Sequence, residues 1–232
     1  MNLPPPFLCI ADDATFWPWF TWPDFSEWSN KDDTVVVIPL TGFADWGLGH
    51  PLDAEEALLT HVLRAAVRRR EADLRMLVVP PLRFALGPEP GCAFAVEPEV
   101  LHGLIDEVAG SVGAAGFRRI VLFNSSPWNE ELCRAAGRDI RIARGLQMFC
   151  ISLSGIGLDF HPIRGGTRDA VKAILDEIAS GEISANPGDR GLGGPGAEAL
   201  AAAAGRLVSL FGEIRSRPPL ANGGVLRIVS TT

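Results

Sequence analysis

Short β-branched apolar runs alternate along this chain with segments of helical period, and that alternation restricts the fold more than any other feature. "TVVVIPL" (Thr34 to Leu40) is too short for a helix and rich in valine, so it reads as a strand buried on both faces. "AEEALLTHVLRAAVRRR" (Ala54 to Arg70) has apolar residues at helical spacing, acids at its start and arginines at its end, as a helix dipole favours. The pattern then repeats. "LRMLVVPPL" reads as a strand stopped by prolines, "EPEVLHGLIDEVAGSVGAAG" as a helix ending in glycine, and "FRRIVLFN" as a strand. "WNEELCRAAGRDIRIA" begins as a helix, "LQMFCISL" is a strand, "TRDAVKAILDEIAS" and "GAEALAAAAGRLVSLFGEIRSR" are helices, and "GVLRIVS" suits a last strand. Such an order predicts a three-layer α/β fold: a mostly parallel central sheet with helices on both faces. With no internal repeat and no long linker, residues 1–232 are expected to form a single domain, and 47% hydrophobic content suffices for one core.

The net charge of −7 and a pI near 5.1 argue against a nucleic-acid or anionic-membrane partner, either of which needs a basic patch. The one dense basic run, Arg68 to Arg70, is accounted for by its place at a helix C-terminus. Cys9, Cys92, Cys133 and Cys150 form no CxxC pair, which disfavours a structural zinc site and suits reduced thiols. No apolar run has the length of a membrane span, and "MNLPPPFLCIADD" lacks the basic start of a signal peptide, so a cytoplasmic protein is expected.

Two segments fall outside the alternation. "TFWPWFTWPDFSEW" holds four of the six tryptophans and reads either as an aromatic wall or intersubunit arm, or as a segment packed on its own core. "NPGDRGLGGPG" (Asn186 to Gly196) precedes the long last helix. Its amides suit an anion, but without GxxxxGK[ST] a plain connection is favoured.

In order and spacing the segments resemble the creatininase (creatinine amidohydrolase) family. The stretch "DTVVVIPLTGFADWGLGHPLDAEEAL" resembles the family's strand followed by a run like EQHGPHLPLGTD. "VVPPLRFALGPEPGCAF" is similar to its proline-rich PPLPYG segment, and "FRRIVLFNSSPWNEEL" to its strand and NGHGGN loop. "DFHPIRGGTR" resembles the D-x-HAGExETS stretch, and "GDRGLGGPGAEALAAAAGRLVSLF" the closing loop and helix. The resemblance implies a metal-dependent hydrolase of cyclic or simple amides, with two divalent ions at the strand ends activating a bridging water. It also implies a homo-oligomer, commonly a hexamer.

Set against those motifs, the ligand positions are largely replaced. A gap-free placement of the first motif puts its glutamate on Ala44, its first histidine on Trp46 and its aspartate on Glu55. A placement shifted by one residue puts the glutamate on Asp45, the histidines on Gly47 and His50, and the aspartate on Glu56. Both remain open, and both lack the first histidine. In the second motif Asn124 and Asn129 match, whereas Ser126 takes the histidine position and Trp128 one that is acidic in some members. In the third, His161 and Thr167 match, Gly166 replaces glutamate and Arg168 replaces serine.

Three functional readings follow. The first is a creatininase-like protein with a degenerate binuclear site, non-catalytic and without a cofactor, which binds a small molecule or partners an active paralogue. For it, Asn124, Ser125, Ser126, Trp128, Asn129, Arg164 and Arg168 are the ligand-binding candidates, the guanidinium groups suiting a small anion. The second is a divergent amidohydrolase with a rebuilt site holding one Zn or Mn ion. Asp45, His50, Glu55 and Glu56 are then the metal candidates, and Glu55, Glu56 and His161 the catalytic ones. The plainer role for Asp53, Glu55 and Glu56 is helix capping and first-turn charge. The third is a metal-free serine mechanism with Ser125 or Ser126 and His161, which lacks the GxSxG elbow. His61 and His102 read as packing or surface residues.

Overall fold

The computed structural model describes residues 14–88, 91–183 and 193–218. Its centre is a four-stranded sheet built from β1 (Val35–Leu40), β3 (Met76–Val78), β5 (Arg119–Asn124) and β6 (Gln147–Ser152). The strand order is β3-β1-β5-β6 and every pairing is parallel. Two further strands, β2 (Phe43–Ala44) and β4 (Cys92–Ala93), pair antiparallel as a separate two-residue ribbon. They are too short to leave an alternating pattern in the sequence.

Alternation along the strands builds two cores. Val35, Val37, Val121 and Phe123 face α2 (Ala54–Arg69), α5 (Arg168–Ser180) and α6 (Pro195–Ser216). Val36, Ile38, Leu40, Ile120 and Leu122 face α3 (Pro98–Ala114) and α4 (Glu130–Arg144). The three-layer expectation is therefore met. Placing α2 and α3 on opposite faces follows from the strand order: the chain steps from β1 to β3 in one direction and returns past β1 to β5 in the other. Right-handed crossovers then require opposite faces. The reversal opens a crevice at the carboxyl ends of β1 and β5, where α/β proteins place ligands.

The aromatic N-terminal segment, including α1 (Trp22–Glu27), packs on its own core. Trp17 stacks on Phe25 at 4.5 Å, and both reach Phe117 below α3. It also covers one sheet edge, because Val78 N–H donates to Thr15 O at 2.8 Å. Asp53 occupies the cap position of α2, but its side chain makes no capping bond, contrary to the helix-cap role expected for it. The expected strand "GVLRIVS", Cys9 and most of the glycine-rich connection lie outside the described residues.

The connection's described end answers the anion question. The Glu177 carboxylate accepts from Gly196 N–H at 2.7 Å and Ala197 N–H at 2.8 Å, so the protein's own acid takes the first amides of α6. A Cβ on Gly194 would lie 2.4 Å from Glu177 Oε1, which accounts for glycine there. Glu177→Ala is expected to destabilise the fold by about 1 to 3 kcal/mol, the cost of a buried cap lost, with the midpoint of urea unfolding as the measurement.

Candidate functional site

The last residues of β1 and β5 pair as Leu40 and Asn124, and the chain leaves both strands into the crevice. Ser125 is tied to β1 twice: its N–H donates to Leu40 O at 3.0 Å and its hydroxyl to the same oxygen at 3.1 Å. Asn124 folds over the turn. Its Nδ2 donates to Ser126 O at 2.7 Å, while its Oδ1 accepts from Ser126 N–H at 3.2 Å. Asn129 Oδ1 accepts from Leu86 N–H at 2.9 Å and so joins the proline-rich loop to this one. The two matched asparagines thus shape the loops.

Glu55, in the first turn of α2, reaches into the crevice and is 1% exposed. Its carboxylate accepts from Gly42 N–H at 2.8 Å and from the indole Nε1–H of Trp46 at 2.9 Å. Burial pushes its pKa up to about 7, although both donors favour the charged form. Gly42 is required for this approach, because a Cβ there would sit 2.9 Å from Ala85 Cβ and 3.2 Å from Glu55 Oε2.

Aromatic rings close the crevice. Trp46 stacks on Trp128 at 5.7 Å and meets the edge of Phe160 at 4.9 Å, and Trp128 meets His161 at 4.8 Å. Arg168 staples the arrangement by donating to the carbonyls of Phe160 and Trp46, both at 2.6 Å. Arg164 is bound to the buried carboxylate of Glu130 at 2.5 Å and lies 3.7 Å from Asp159. Both guanidinium groups proposed for an anion are therefore engaged within the protein. Two buried polar atoms, Ser126 Oγ and Asn129 Nδ2, have no hydrogen-bond partner among the described residues.

The residues of the gap-free placement, Trp46 and Glu55, meet each other and Ser126 at the strand ends. Those of the shifted placement point apart. Asp45 accepts from Gly47 N–H at 2.8 Å, His50 pairs with Asp176 at 3.0 Å, and Glu56 pairs with Arg83 at 2.7 Å. Among the described residues, no three His, Cys, Asp or Glu side chains group to hold a metal ion. His161 touches Trp128 and accepts from Ile163 N–H at 3.1 Å; its hydrogen bonds among the described residues do not include Ser125 or Ser126. His61 bonds the Ala57 carbonyl within its own helix, and His102 lies 3.4 Å from Asp139. Glu130 and the Trp46–Glu55 bond were not foreseen. The signal for the bond was a tryptophan at a ligand position nine residues before an acid.

A strand-order reversal with loops converging at the carboxyl ends defines a doubly wound α/β protein with its site at the switch point. Residues 19–184 match the model of the creatininase family, described as creatinine amidohydrolase, and the chain belongs to that family. A search of curated protein sequences finds no match. Among solved structures, creatinine amidohydrolase (creatininase) is 16% identical, with 89% of this chain and 100% of that one covered and a TM-score of 0.64. A structure described as "Creatininase Mn" is 15% identical over 88% and 100%, with a TM-score of 0.63. A putative creatinine amidohydrolase from Bacteroides fragilis NCTC 9343 is 13% identical over 89% and 98%, with a TM-score of 0.56. At these identities the likeness is one of fold.

Proposed function

We propose that this protein is a creatininase-family member whose strand-end site no longer carries the family's metal pair, and that it acts by binding rather than by hydrolysis. The carrying observation is the Trp46–Glu55 bond under the Trp128 and Phe160 rings. An indole nitrogen has no lone pair free for a cation, and a serine hydroxyl is a weak ligand. The donors that meet in the crevice, one carboxylate and two hydroxyls, do not fit two divalent ions, which need several His and acidic ligands. In this reading the protein is a partner subunit in an assembly with its own copies or with an active family member in the cytoplasm, and any ligand is a small molecule. Among the described residues no helix is long and apolar enough to cross a membrane.

The test is elemental mass spectrometry of protein expressed with manganese, zinc and iron, together with thermal unfolding with and without added metal. The expected result is no tightly held ion and no metal-dependent rise in Tm, because only a ligand bound by the native state shifts unfolding. About one retained ion per chain, with chelator-sensitive hydrolysis of amides, would overturn the reading in favour of a rebuilt amidohydrolase site.

A further inference from the structure

The turn that follows Phe160 is held by hydrogen bonds rather than by burial, since Ile163 at its tip is 91% exposed. Gly165 N–H donates to His161 O at 2.8 Å, and a Cβ on Gly165 would lie 2.5 Å from that oxygen, so only glycine fits so tight a turn. Inside it, His161 Nδ1 accepts from Ile163 N–H at 3.1 Å and from Arg164 N–H at 3.4 Å. A backbone N–H can only donate. Nδ1 therefore carries no hydrogen, and the ring in this turn is the neutral form with its hydrogen on Nε2.

The same turn borders the crevice. The His161 ring meets Trp128, Trp128 stacks on Trp46, and Trp46 bonds Glu55. Four charged groups stand around the imidazole. Asp159, which accepts from His161 N–H at 3.1 Å, and Arg164 belong to its own loop. Glu130 faces it from α4 through Arg164, and Arg168 from α5 through the Phe160 carbonyl. Two acids attract an imidazolium and two arginines repel it, so charge alone does not settle the response. The acceptor role of Nδ1 does. A second hydrogen on the ring makes Nδ1 a donor, and a donor has no place against two N–H groups.

We propose that His161 is an acid-released latch on the strand-end crevice. The neutral ring ties the 161–165 turn beside Trp128 and keeps the aromatic rim shut. The protonated ring gives up both N–H bonds, the turn loosens, and Trp128 becomes accessible to solvent. The latch depends on the hydrogen bonds of the turn and not on what the crevice holds, so it stands whether the site binds or hydrolyses. It is also separable from the buried acid, because Glu55→Gln leaves every bond of the turn in place.

The test follows the full chain by NMR and fluorescence between pH 8 and pH 5, the range in which histidine titrates. Amide exchange at Ile163 and Arg164, corrected for its intrinsic pH dependence, is expected to be about tenfold faster at pH 5, from two side-chain hydrogen bonds lost. Acrylamide quenching of Trp128, taken as the difference from Trp128→Phe, should rise in step, in the wild type and in Glu55→Gln alike. His161→Asn keeps a side-chain acceptor for the N–H two residues on but cannot titrate, so its turn should stay closed at both pH values. His161→Ala should be open at both. An unchanged wild-type turn would overturn the proposal. So would an equal acid response in the asparagine variant, which would assign the opening to Asp159 or Glu130. Independently of any variant, the ¹⁵N resonance of His161 Nδ1 should show the ring neutral with its hydrogen on Nε2 at pH 8 and doubly protonated when the turn opens; an open turn with Nδ1 still bare would equally rule the latch out.

Discussion

Raising the pH from 5 to 8 is expected to destabilise the wild-type protein by about 2 to 3 kcal/mol relative to its Glu55→Gln variant. Glu55 has a folded-state pKa of about 7 against an ordinary value of 4.5, chiefly because burial penalises its charged form. The unfolded chain therefore gives up its proton first. The stabilisation from a neutral, buried Glu55 is complete below the ordinary value, falls as pH rises, and is gone once pH passes the folded value. Glutamine cannot titrate, so its curve lacks this component. Asp24, Asp73, Asp106 and Asp176, whose partners hold them low, act in the opposite direction but are present in both proteins and cancel in the comparison. Urea unfolding of both proteins across this range measures the difference. Parallel curves would mean that Glu55 is already ionised in the folded protein at pH 5, and that the crevice is wetter than its burial implies.

The sequence carried the layers because burial on both faces leaves a direct mark. Val35 to Leu40 and Arg119 to Asn124 are buried at every residue and read as strands without help. The helices α2 to α6 were equally legible from their period, whereas the six-residue α1 lay inside the aromatic segment read as irregular. What the pattern could not reach were contacts whose partners lie far apart or whose elements are minimal. The two-residue β2 and β4 leave no period, and Glu177 capping α6 joins residues 19 and 20 positions apart. At the site, residue types suggested a ligand set around Asp45, His50, Glu55 and Glu56, but they do not say which way a side chain points. Successive residues on a helix diverge by about 100°. Glu55 accordingly enters the crevice while Glu56 turns to Arg83. The tryptophan that read only as a lost histidine is the residue that bonds the buried acid. That role needs the distance from the loop after β2 to α2, which spacing alone does not contain.

Trp46→Ala is expected to destabilise the protein by about 3 to 5 kcal/mol, the range for removing a large buried aromatic. The ring is 6% exposed and lies between Trp128 and Phe160, so its loss opens a cavity and deprives Glu55 Oε1 of its donor. Trp46→Phe separates the two effects. It keeps a ring for Trp128 and Phe160 but removes the indole N–H. The lost bond goes to a carboxylate that is charged above about pH 7 and neutral below it. A hydrogen bond to a charged group contributes about 1.5 to 3 kcal/mol, and one to a neutral group about 1. The phenylalanine variant should therefore lose more stability at pH 8 than at pH 5, and its Glu55 should titrate above the wild-type value. Equal losses at the two pH values would reduce Trp46 to a packing residue. The expected asymmetry would make it, with the Gly42 amide, the device that lets this fold keep a carboxylate in a closed strand-end crevice, its charge compensated by two N–H donors.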